Sequence, residues 1–197
     1  EAEHSYRILL TKGDDPDVAV NLGALLRSQG RLQEASSHYH RYLKRWPSLR
    51  SLILNACNCW KDTGETVEAL QCLRQALKEN SDDTELREAF AEILALMGYT
   101  AEAINHYESI IHADQRRIQS WLGLGLVHGR AGQLQMSANC YRKVLSINPN
   151  ESNATANLIT VYKQSGEFQA AQTFIDDLVE GQRRQPDISK AIADLKI

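Results

Sequence analysis

The chain has no excess of positive charge. Twenty-two Lys and Arg stand against 25 Asp and Glu in 197 residues, a formal net charge of −3. A general nucleic-acid or membrane-surface binder needs a basic face to meet phosphates, so the balance argues against that class. Long apolar runs are missing too. None approaches the roughly 18 residues that a helical membrane span needs. Cysteine is scarce: Cys57, Cys59, Cys72 and Cys140 are too few to staple a chain of this length. Cys57 and Cys59 are two apart, so on a helix they point to different sides. All four read as free thiols, which leans towards a reducing compartment, the cytoplasm. A removed signal peptide would leave no trace.

Catalytic patterns are absent as well. The histidines are His4, His38, His40, His106, His112 and His128. His38 and His40 are two apart and cannot share a metal from one helix face. His128 reads as a core residue. Gly123, Gly125 and Gly129 fall inside a helical stretch, where they ease close packing rather than cradle a phosphate. The expectation is no catalytic residue, no metal and no cofactor in this stretch of chain.

What the chain does contain is a period. Gly30, Gly64, Gly98, Gly132 and Gly166 are each 34 residues apart. A helix that ends in a tight turn needs a left-handed residue, and glycine supplies it without steric cost. With this glycine numbered 15, position 20 is small: Ala35, Ala69, Ala103, Ser137 and Ala171. One turn later, position 24 is large: Tyr39, Leu73, Tyr107, Tyr141 and Ile175. Position 7 carries Leu22, Ala56, Phe90, Leu124 and Leu158, and position 28 carries Leu43, Leu77, Ile111, Leu145 and Val179. These positions predict an apolar stripe on each of two helices. Pro47 and Pro149 stop the second helix. Trp46, just before Pro47, reads as a lid over the turn.

This pattern resembles the tetratricopeptide repeat family, whose unit is a 34-residue helix–turn–helix. The pentatricopeptide family, which reads RNA, is the nearest architecture. Its usual period of 35 and the acidic balance here oppose it. The resemblance implies an all-α, right-handed α-solenoid of stacked hairpins over residues 16–185, divided at about 16–49, 50–83, 84–117, 118–151 and 152–185. Residues 1–13 have the spacing of a second helix from a partial repeat (Ala2, Tyr6, Leu9, Leu10). Residues 186–197 form a cap or a truncated sixth repeat, with Lys196 at the normally apolar position 11. A start inside a repeat is expected of a fragment of a larger protein. Unpaired terminal hairpins also allow self-association.

By the same resemblance, positions 2, 5, 6, 9, 12 and 13 of each first helix line a concave groove. Position 6 holds Asn21, Asn55 and Asn157; Asn58, Asn153, Arg27, Lys61 and Lys163 fall at neighbouring groove positions. A carboxamide is both donor and acceptor, so it can pair with the backbone of an extended peptide without reading its side chains. Such a ladder is similar to the repeat arm of O-GlcNAc transferase, although Ala89 and Gly123 break two of its rungs. These asparagines also read as ordinary residues bridging helices, and both readings stand open. Three neutral hydrogen bonds net at most about 4 kcal/mol, which is millimolar affinity, so further contacts would be needed. The chaperone-tail type of groove needs a lysine at position 5. That position holds Val20, Leu54, Glu88, Leu122 and Ala156, which argues against it. The expected function is a scaffold that docks a protein or extended peptide. The alternative is the substrate-recruiting arm of a glycosyltransferase.

Overall fold

The computed structural model describes residues 1–13 and 15–195. Lys196, the position on which the wetter face of a terminal cap was expected, lies outside them. Among the described residues the chain forms thirteen α-helices and no strand. It divides into two compact units, residues 1–98 and 99–197.

The first unit contains α1 (Ala2–Lys12), α2 (Pro16–Ser28), α3 (Leu32–Leu43), α4 (Arg50–Thr63), α5 (Thr66–Glu79) and α6 (Thr84–Leu96). The start of α2 is set locally. The Asp15 carboxylate accepts from the N–H groups of Asp17 and Val18, and Pro16 occupies the first helical position. Asp83 caps α6 in the same way, accepting from the Leu86 N–H at 3.0 Å. Gly30, Gly64 and Gly98 end the first helices with φ of +75°, +82° and +86°. α2 packs on α3 and α4 on α5, while α4 also touches α2 and α6. Leu22, Leu26, Ala35, Tyr39, Ala56, Leu73 and Phe90 are all buried, so the predicted stripes meet in the core. Trp46 is half-buried and stacks on Tyr42, with ring centroids 5.5 Å apart and planes 10° off parallel.

The second unit contains α7 (Thr100–Ala113), α8 (Ile118–Arg130), α9 (Leu134–Ile147), α10 (Ser152–Ser165), α11 (Phe168–Asp177), α12 (Glu180–Arg183) and α13 (Pro186–Leu195). One core cluster joins Tyr141, Val144, Leu158 and Tyr162; another joins Ile159, Ile175, Leu178 and Ile188. A fully buried Leu or Ile contributes about 1.5–3 kcal/mol, so these clusters account for the docking of α13 on α10. The fifth repeat departs from the pattern. Val179, expected in the apolar stripe, is 64% exposed, and Leu178 is buried in its place. The reason is local. The backbone turns extended at Leu178 (ψ 136°), so the helical phase ends one residue before position 28.

Candidate peptide-binding face

The eight residues singled out for the groove divide between the units. Asn21 and Arg27 are on α2, and Asn55, Asn58 and Lys61 are on α4. Asn153, Asn157 and Lys163 are on α10. Each sits on a first helix, away from the buried stripe: Asn21, Asn153 and Lys163 are exposed, the others half-buried.

The carboxamides are not alike. Asn55 donates from Nδ2 to the Ser51 carbonyl of its own helix at 2.8 Å, leaving its oxygen. Asn153 donates to a carboxylate oxygen of Glu151 at 3.3 Å. The side chains of Asn21, Asn58 and Asn157 make no hydrogen bond to the described residues. Those three present both donor and acceptor outward.

The cations are committed differently from the sequence expectation. Arg27 Nε donates to Asp62 of α4 at 2.5 Å, and Lys61 Nζ pairs with Glu92 of α6 at 2.8 Å. Lys163 donates to the main-chain oxygen of Asp194 on α13. Every position-12 cation thus reaches forward to the next first helix. The bond from Asp62 raises the Arg27 pKa above its usual value. These cations tie helices together rather than standing free for a ligand carboxylate. For Arg27 and Lys61 a signal was present in the acids 35 and 31 residues downstream, but only packing shows which acid each meets.

Three of the four thiols are held protonated by their surroundings. Burial pushes the Cys59 thiol up to about 11 and Cys140 up to about 12. The Cys57 thiol donates to the Ala69 carbonyl across the α4–α5 interface, and the neighbouring Cys72 thiol raises Cys57 strongly while Cys72 itself is lowered. Cys57, Cys59 and Cys140, held protonated at neutral pH, are poor nucleophiles. Two-residue spacing drew attention to Cys57 and Cys59; the sulfurs that meet are Cys57 and Cys72. Among the described residues no group of three His, Cys, Asp or Glu could hold a metal ion, and no helix is long and apolar enough to cross a membrane.

Two family models described as tetratricopeptide repeat match residues 1–49 and 130–195, together more than half of the chain. The chain belongs to the tetratricopeptide repeat family. This repeat chain is similar to the human protein O-mannosyl-transferase TMTC1, with 27% identity over 83% of its length. It spans only 18% of that relative. A tetratricopeptide repeat protein from Parabacteroides merdae superposes with a TM-score of 0.80 at 20% identity, over 98% of this chain and 77% of that one. YrrB, described as a repeat protein with an unusual peptide-binding site, superposes with a TM-score of 0.61 at 17% identity, over 99% of this chain and all of YrrB (100%). At these identities the solved structures speak to the fold alone: helical hairpins stacked as in a solenoid, an architecture that serves protein interaction.

Proposed function

We propose that each unit docks an extended peptide along its own first-helix faces, with asparagine carboxamides pairing to the peptide backbone. The observation that carries this reading is the unshared carboxamides, on Asn21 and Asn58 in the first unit and on Asn157 in the second. Asn55 adds an acceptor. Arg27 ties α2 to α4 and so sets the spacing between the rungs of the first unit, while Lys61 ties α4 to α6 and Lys163 ties α10 to α13. The peptide-binding site described for YrrB supports the analogy.

The test is a displayed random-peptide library selected against the chain, followed by affinities for the variant Asn21→Ala/Asn58→Ala/Asn157→Ala. Each neutral hydrogen bond nets about 0.5–1.5 kcal/mol, so loss of the two rungs of the first unit should weaken its capture about five- to 150-fold. The melting temperature should stay nearly constant. Unchanged capture would remove the asparagines from the account.

A second reading is favoured by the small share of TMTC1 that the chain spans. The chain would then be the substrate-recruiting arm of a glycosyltransferase, as the likeness to the O-GlcNAc transferase arm also implies. Probing source extract with an antibody against the chain separates the two. A band near 22.2 kDa favours a stand-alone scaffold, and a much larger band favours an arm.

A further inference from the structure

We infer that the cavity between α7, α8 and α9 is a second binding site, separate from the asparagine-bearing faces, that takes a tyrosine side chain presented by a protein partner. The cavity measures about 560 Å³, within the range of side-chain and small-ligand sites. Its apolar lining comes from Ile111, Leu124 and Cys140, all buried, and from the half-buried Trp121. The Trp121 Nε1–H already donates to the Gln115 carbonyl at 3.0 Å, so Trp121 offers the cavity its ring and not a donor.

The polar feature is His128. It lines the cavity while only 2% exposed. Its Nδ1 lies 2.5 Å from Gln133 Oε1. An amide oxygen only accepts, so Nδ1 carries the proton and Nε2 keeps a lone pair. Glu108, His112, Gln115 and Asn139 line the exposed edge of the cavity, with Lys143 half-buried beside them, so at its buried end the site sets one hydrogen-bond acceptor, on His128, among apolar groups. That suits a ring with a single neutral O–H. At that buried end, away from the Glu108 carboxylate on the edge, an ammonium would lose too much hydration, and a phenylalanine would leave the acceptor unused. Met136, 49% exposed at the cavity edge, extends the apolar surface outward, where a thioether adapts to a partner's ring.

The arrangement is peculiar to the fourth repeat. Position 11 is Leu26, Trp60, Leu94 and Tyr162 elsewhere. In the comparable cleft between α1, α2 and α3 the histidine is His38, whose Nε2 is occupied by the Ala19 carbonyl at 2.7 Å.

The experiment titrates the ¹⁵N-labelled chain with N-acetyl-tyrosinamide and N-acetyl-phenylalaninamide, following the Trp121 indole N–H. Both should shift that signal, with the tyrosine probe about two- to tenfold tighter, the value of one neutral hydrogen bond. His128→Leu installs the residue of the first and third repeats and should equalise the two probes while the chain stays folded. Cys140→Phe installs the Phe174 side chain of the fifth repeat and should fill the cavity, abolishing both shifts. A Trp121 signal that does not move, equal affinities in the native chain, or a tyrosine preference that survives in His128→Leu would each overturn the proposal.

Discussion

Gly23→Ala should destabilise the first unit, although alanine is the better helix former. A Cβ built on Gly23 would lie 2.4 Å from Cζ, 2.5 Å from Cε1 and 2.7 Å from the hydroxyl oxygen of Tyr39. Ordinary contact begins near 3.4 Å, so the ring must retreat by about 1 Å. It has nowhere to go, because Tyr39 is fully buried at 0% exposure. Overpacking of this kind costs about 1–3 kcal/mol, and the clash involves two ring carbons and the hydroxyl oxygen, which favours the upper end. Replacing a helical glycine with alanine recovers about 1 kcal/mol. The net loss should be about 2 kcal/mol. Urea unfolding followed by circular dichroism would measure it, with a drop of about 4–8 °C in melting temperature. The repeats supply the rescue. Gly23 faces Tyr39 and Gly125 faces Tyr141, while the second repeat places Cys57 and Leu73 at those two positions. Gly23→Ala/Tyr39→Leu should therefore regain much of the loss, helped by removal of a buried hydroxyl that has no partner. Gly181→Ala, where a Cβ meets nothing within 4 Å, is the control and should be neutral or mildly stabilising. A Gly23→Ala chain as stable as the native one, or a double variant no better than the single, would refute the size-matching argument.

Two further outcomes follow from the same structure. Gly132→Ala meets no atom within 4 Å but must adopt φ of +74°, so strain alone should cost about 1–2 kcal/mol in thermal unfolding. His38 is lowered from its usual pKa, mainly by burial, while its bond to the Ala19 carbonyl opposes the shift. The unfolded state then binds the proton more readily, so stability is full above the unfolded pKa near 6.5 and falls as pH drops towards the lowered folded pKa. Denaturant midpoints compared at pH 7.5 and 5.5 should show this loss, and His38→Gln, which keeps a donor for Ala19, should flatten the slope in that window.

The sequence by itself determined the repeat. Spacing within a helix is a local property, so glycine every 34 residues and a small residue four before a large one could be read directly. The five glycines all take positive φ, and the small and large positions 20 and 24 are buried in every repeat. The candidate face was legible only as a row of residue types. Whether Arg27 is free or bound to Asp62 depends on how far α4 lies from α2, which no spacing within one helix encodes. The same holds for the meeting of Cys57 with Cys72. Val179 left the core because the chain turned at Leu178, and that turn lets Leu178 join Ile188 of α13, a contact made across helices. His128 was readable as a core histidine. That its ring also lines a cavity between α7 and α9 was decided by tertiary packing, because a cavity belongs to three helices at once and to the sequence of none.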